Sequence, residues 1–282
     1  MHASEFRQHS LNTNSQDAQY LTCTFIRHSL LWMTLAAIVL PSTLYAQDPT
    51  GVIGRNTREE TFELDAFGTV HALVPTAGVK SVAVFLSGDG AWNTGVKDMA
   101  QLLANEGALV AGIDVVPYLM ALNNSTAACT SVADDFATLA RAIQSRYAIT
   151  VNIKPIVIGY SSGATLAYAI AAQAPAASIH GFITLGFCEI LEVHRPLCTG
   201  RKLAFYRRQN GLTLLPTQVD VPWRALQGTI DQACTLEEVR RFTEAIPTAR
   251  VIPLSKVGHG FAVARRWQPQ YVAAYKELVE QY

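Results

Sequence analysis

The chain has 282 residues, with 22 Lys plus Arg against 22 Asp plus Glu, half of its residues hydrophobic and 16% charged. Neutrality removes the basic surface with which nucleic-acid binders hold phosphates, and so much apolar content excludes a disordered chain. The length allows one large α/β domain or two smaller ones.

Near the N-terminus, Arg27 and His28 precede the apolar run Leu30–Leu40, and Leu44-Tyr45-Ala46 supplies a cleavage site before Gln47. A positive residue, a short apolar stretch and a small residue read as a Sec-type signal peptide over 1–46, because a spanning helix needs about 20 apolar residues. An uncleaved anchor is the alternative. The remaining chain stays neutral and keeps Cys129, Cys188, Cys198 and Cys234. An even set of cysteines in an exported chain predicts two disulfides, with all three pairings open. No C-x2-C pair is present, so no metal site is expected.

Residues 47–60 read as a flexible leader, and 61–282 as one domain. Alternation over Thr61–Asp65 and Thr69–Val74 around Ala66-Phe67-Gly68 predicts an antiparallel hairpin. Short apolar runs then alternate with helical stretches. The runs are Ser81–Leu86, Leu109–Ile113, Ile156–Ile158, Gly181–Leu185, Trp223–Leu226 and Arg250–Leu254. The predicted helices cover 95–107, 131–147, 162–174, 235–246 and 265–281. Continuous apolar strands of this kind are buried on both faces, so the pattern predicts a mostly parallel, doubly wound α/β sheet with helices on both faces. Asn123–Thr126 reads as a turn-rich loop. Trp267, Tyr271, Val272, Tyr275 and Leu278, spaced by three or four, read as a helix face packed on the sheet. No connection looks long enough for a large lid.

The sharpest chemical signal is Gly159-Tyr160-Ser161-Ser162-Gly163, placed between a strand and an apolar helix. G-x-S-x-G in that context is a nucleophile elbow, with Ser161 projecting from the carboxyl edge of the sheet. A serine hydroxyl needs a base, and the base an orienting acid. His71 precedes the nucleophile, His180 sits at the opposite strand end, and His194 lies in a polar loop between cysteines. His259, in the glycine-flanked loop after the strand ending at Leu254, is the one placed to reach Ser161. Asp231, just past the strand Trp223–Leu226, is the preferred acid over Glu237 and Glu238; its other role would be to cap the following helix. Two backbone N–H donors should face a tetrahedral oxyanion: that of Ser162, and that of Asp89 or Gly88 in the loop after the first parallel strand. The Asp89 carboxylate is unexpected beside an oxyanion. Either it shapes the turn, or with Asp114 it receives a cationic group; Trp92 and Tyr160 are the other expected substrate contacts.

Five segments together, Leu86–Trp92, Gly159–Ala164, Leu185–Cys188, Gly228–Cys234 and Lys256–Phe261, resemble the bacterial VirJ/AcvB virulence-protein family, over about 75–282. The resemblance implies a periplasmic α/β hydrolase of the single-domain VirJ type, with Ser161, Asp231 and His259 as triad. It also implies hydrolysis of the lysyl ester of lysyl-phosphatidylglycerol, and links to acid tolerance and type IV secretion. Many members carry Phe after the serine, where this chain has Ser162. The expected partners are an aminoacylated phospholipid at the membrane surface and secretion-system or envelope proteins, with no nucleic acid; the chain is expected to be a monomer without cofactor. A generic periplasmic carboxylesterase or lipase, and a non-catalytic binding factor on a hydrolase fold, are the competing readings.

Overall fold

The computed structural model describes residues 56–199 and 201–281. The expected signal peptide and most of the leader lie outside the described residues. The leader's last residues do not: strand β1 runs Thr57–Leu64, so the hairpin begins four residues earlier than its alternation predicts. Glu59 and Glu60 sit in that strand because it is a sheet edge, where one side chain in two faces water and charge carries no burial cost. β2, Gly68–Pro75, pairs antiparallel with β1.

β3 (Ser81–Leu86), β4 (Ala108–Ile113), β5 (Ile156–Tyr160), β6 (Gly181–Leu185), β10 (Trp223–Gly228) and β11 (Ala249–Leu254) form the parallel part of an eight-stranded sheet ordered β1-β2-β4-β3-β5-β6-β10-β11. Every residue of β3, β4, β6 and β10 is buried, the few polar ones, Ser81, Thr184, Arg224 and Gln227, included. The helices are α1 (Thr94–Asn105), α2 (Val115–Asn124), α3 (Val132–Arg146), α4 (Ser162–Gln173), α5 (Leu236–Thr243) and α6 (Gln268–Val279). One core cluster joins the sheet to α2, α3, α4 and α5, the other to α1 and α6, so the sheet is covered on both faces. α6 does so with Tyr271, Tyr275 and Leu278, while Trp267 is buried just before it.

Two features depart from the sequence reading. Asn123 and Asn124 end α2 rather than form a loop; Asp114 caps that helix by accepting from Val116 N at 2.9 Å, and Pro117 falls in the first turn, where no backbone donor is needed. The connection from β6 to β10 builds a second sheet of β7 (Ile190–Leu191), β8 (Phe205–Arg208) and β9 (Gly211–Leu214), in the order β7-β9-β8. Disulfides close Cys129 to Cys198 and Cys188 to Cys234. Among the described residues no helix is long and apolar enough to cross a membrane.

Candidate active site

The parallel strands end at one edge, and the loops leaving that edge carry the expected site. Ser161 follows β5 with φ 54° and ψ −122°, a left-handed region that an L-residue occupies only where the surroundings impose it. Its N–H donates to Leu185 O at 2.9 Å, and its carbonyl accepts from Ala164 N and Thr165 N, so the chain turns at once from strand to helix. Gly159 and Gly163 allow this: a side chain on Gly159 would enter the Gly163 carbonyl, and one on Gly163 would enter the Ser87 carbonyl. The first N–H groups of α4, Ser162 included, have no acceptor within the helix and point toward incoming negative charge.

Ser161 Oγ and His259 Nε2 lie 2.8 Å apart, and His259 Nδ1 lies 2.8 Å from Asp231 Oδ2. The structure thus brings the three expected residues into one hydrogen-bonded line from three different loops. The Asp231 side chain has 0% exposure, that of His259 27%. A buried carboxylate needs donors, and Asp231 has four: the His259 ring, Gln227 Nε2 at 3.0 Å, and the Ala233 and Cys234 backbone N–H groups, both at 3.0 Å on Oδ1. Asp231 also holds the turn before α5, yet Thr235 caps that helix through a reciprocal pair with Glu238.

Gln227 was not foreseen. It is fully buried in β10; its amide nitrogen donates to Asp231 and to Cys234 O, and its oxygen accepts from Phe187 N at 3.0 Å. A glutamine directly after the apolar pair Ala225-Leu226 in a buried strand, four residues before the acid, is the signal for it. It ties Asp231 to the strand beside it, and the Cys188–Cys234 disulfide ties the same two loops covalently.

The loop Ser87–Trp92 packs against Ser161. A Cβ on Gly88 would lie 3.0 Å from that of Ser161. Ser87 Oγ donates to Gly88 O and accepts from Val115 N, which fixes the loop on α2. The two expected oxyanion donors, from Ser162 and from Gly88 or Asp89, therefore belong to segments that meet at Ser161.

A cleft of about 260 Å³ opens beside Ser161, lined by Asp89, Ser162, Thr165, Phe187, Cys188, Glu189, Ile190, Glu192, Asn210, Ala233, Cys234, Glu238, Val239 and Phe242. Its floor is aromatic: Phe187 and Phe242 have ring centroids 4.9 Å apart and both pack on Trp223, whose Nε1 donates to Thr184 Oγ1. Among the described residues, four carboxylates and no Lys or Arg line the cleft. Glu238, passed over as the acid in favour of Asp231, nonetheless lines the cleft; hydrogen bonds from Thr235 hold its carboxyl below the usual range. Ser162 Oγ is buried without a hydrogen-bond partner among the described residues.

Of the expected substrate contacts, Asp89 lines the cleft and the others do not. Asp114 is engaged as the α2 cap. Trp92 lies flat on His71 at 4.9 Å and occupies the space a side chain on Gly112 would take, so it anchors the loop to β2 and β4. Tyr160 faces away from the cleft beside His259, and its hydroxyl donates to His259 O at 3.0 Å; burial raises its pKa. His180 Nε2 lies 2.9 Å from Leu278 O, and the His194 N–H donates to Asn123. No group of His, Cys, Asp and Glu arranged to hold a metal occurs among the described residues.

Residues 80–187 match the family model described as bacterial virulence protein (VirJ), a span that contains the Ser87–Trp92 loop and the elbow but ends before Asp231 and His259. No curated protein sequence matches significantly. Among solved structures, a dienelactone hydrolase from Anabaena variabilis aligns with a TM-score of 0.56 at 14% identity, over 80% of this chain and 99% of that one. The esterase domain of a Rhodothermus marinus protein aligns at 0.53 and 14%, over 79% and 98%. A cold-adapted esterase from an Arctic intertidal metagenomic library aligns at 0.51 and 15%, over 79% and 93%. These similarities establish the α/β-hydrolase fold, and the VirJ match bears out the family resemblance over the stretch it covers.

Proposed function

We propose that this protein is a periplasmic serine hydrolase that cleaves the aminoacyl ester of a phospholipid, a lysyl-phosphatidylglycerol in the first instance. The observation that carries the hydrolase reading is the line Ser161 Oγ, His259 Nε2, His259 Nδ1, Asp231 Oδ2, with both links at 2.8 Å. Such a line is a nucleophile, a base and the group that orients the base.

In the proposed reaction Ser161 Oγ attacks the ester carbonyl while His259 Nε2 takes its proton. The carbonyl oxygen becomes an oxyanion facing the N–H groups of Ser162 and of Asp89 or Gly88. As the C–O bond breaks, His259 returns the proton to the departing lipid alcohol, leaving an aminoacyl ester on Ser161. Water, deprotonated by His259, then releases the amino acid and restores the serine. Asp231 holds the imidazole with Nδ1 protonated and Nε2 free to accept. One oxyanion donor is worth ~3 kcal/mol of transition-state stabilisation, so the fixed Ser87–Trp92 loop weighs as much as a side chain.

The finer substrate reading is supported by the acidic lining of the cleft, which among the described residues includes no Lys or Arg, with Asp89, Glu189 and Glu192 around the aromatic floor. A lysyl ester carries one ammonium group beside its carbonyl and a second at the end of its side chain. The two disulfides support an oxidising compartment. Purified protein and its Ser161→Ala variant, each given lysyl-phosphatidylglycerol and a short-chain ester, test the proposal. Free lysine released by the intact protein alone supports it. Turnover of the simple ester alone points to a generic esterase, and inertness toward both to a binding factor.

A further inference from the structure

Charge in this neutral chain is segregated around the cleft. Against the acidic lining stands a stretch between Glu192 and Asp220 that contains Arg195, Arg201, Lys202, Arg207 and Arg208 and no Asp or Glu. Its outermost part is the β8–β9 hairpin. Residues 206–210 are all exposed, Tyr206 by 42%, and Leu215 just after β9 is 38% exposed. The Arg208 guanidinium lies 5.1 Å from the Tyr206 ring centroid and donates to its hydroxyl at 2.6 Å. The hairpin is also wired to the site. Asn210 in its turn lines the cleft, β9 pairs with β7 in the cleft wall, and Gly211 packs so tightly on the Leu191 carbonyl that no side chain would fit. The carbonyl of Glu189 in the wall accepts from Leu214 N at 2.8 Å, which ties the acidic lining to the end of β9.

We propose that the β8–β9 hairpin is a docking element for an anionic phospholipid surface, with Arg207 and Arg208 on lipid phosphates and Tyr206 at headgroup depth. A tyrosine flanked by arginines suits that boundary, since its ring is apolar and its hydroxyl wet, while guanidinium groups pair with phosphate oxygens. Docked there, the hairpin sets Ser161 next to the membrane, and the acidic cleft receives an ammonium head while the phosphate stays outside on the arginines. This rests on the lipid-ester reading for its purpose but not for its test.

The test is co-sedimentation of the full protein with vesicles of phosphatidylglycerol and phosphatidylcholine, and of phosphatidylcholine alone, neither containing an aminoacyl lipid. The intact protein should bind the anionic vesicles, more weakly as salt rises, and not the neutral ones. Arg207→Gln/Arg208→Gln should bind about thirtyfold more weakly, the worth of two cations at an anionic surface, with kcat/KM on a soluble short-chain ester unchanged. Arg207→Lys/Arg208→Lys should retain most of the binding, which separates charge from folding. Equal binding of the intact protein to both vesicle types, or undiminished binding by the glutamine variant, would overturn the proposal. Because no aminoacyl lipid is present, failure to cleave lysyl-phosphatidylglycerol would leave this result standing, and the reverse also holds.

Discussion

Substituting Gly163 with Ala tests whether the elbow's geometry, and not merely its serine, carries the activity. Gly163 has no open space on its Cβ side: the new carbon would sit 2.6 Å from Leu86 O and nearer still to Ser87 O, both backbone atoms. Real Cβ contacts stay beyond 3.0 Å, so α4 and the β3 end must separate by at least 3.0 − 2.6 = 0.4 Å, and by more at Ser87. That separation falls between the Ser162 N–H and the Gly88–Asp89 N–H groups, the two arms that must converge on one oxygen. Misplacement by about 1 Å costs on the order of a hundredfold in rate, so kcat on a short-chain ester should fall by roughly ten- to a hundredfold. Overpacking should also cost about 1–3 kcal/mol of stability. Steady-state kinetics and urea unfolding of the same preparation read the two effects separately. Gly163→Ala with kcat within twofold of the parent and an unchanged midpoint would refute the close approach of elbow and loop.

Further predictions follow from the groups around the triad. Gln227→Leu keeps the volume but strands the buried Phe187 N–H and Cys234 carbonyl, each worth about 1–3 kcal/mol; urea unfolding should show a loss of roughly 2–5 kcal/mol, and a loss under 1 kcal/mol would contradict the network. Cys188→Ser/Cys234→Ser opens a 46-residue loop and should cost about 4 kcal/mol by chain entropy; a midpoint equal to the parent's would contradict the pairing. Burial lowers the pKa of His71 and of His180, so below about pH 6.5 the unfolded chain binds protons that the folded one resists. Stability is therefore full above that value and falls as pH drops through it; a urea midpoint at pH 5.5 equal to or above that at pH 7.5 would contradict this sign.

The parallel sheet was legible because its central strands are buried on both faces and mostly apolar, with Ser81 and Thr184 too small to break their runs: Ser81–Leu86 and Gly181–Leu185 are read from sequence to the residue. The hydrogen-bonded line of Ser161, His259 and Asp231 was legible for a related reason, since strand ends locate the loops and chain order then selects among few residues. What escaped were features set by tertiary neighbours. The small sheet β7-β9-β8 has strands of two to four residues that form only by pairing with each other, too short for a periodicity to show. Trp92 and Asp114 lie in the right loops, yet one is drawn onto His71 and the other onto a helix N-terminus that the sequence does not announce. The acidity of the cleft is likewise invisible in a neutral composition, because Asp89, Glu189 and Glu192 come together only when the loops after β3 and β6 meet.

The central claim is that Ser161 is a nucleophile activated by His259. Its most direct measurement is intact-mass and peptide analysis after brief exposure to a fluorophosphonate, which phosphonylates activated serines with loss of fluoride. One adduct is expected, on Ser161, formed at least a hundredfold more slowly in His259→Ala and at that position never in Ser161→Ala. An unlabelled protein, an adduct on Ser162 or elsewhere, or labelling of Ser161 that is indifferent to His259 would contradict it.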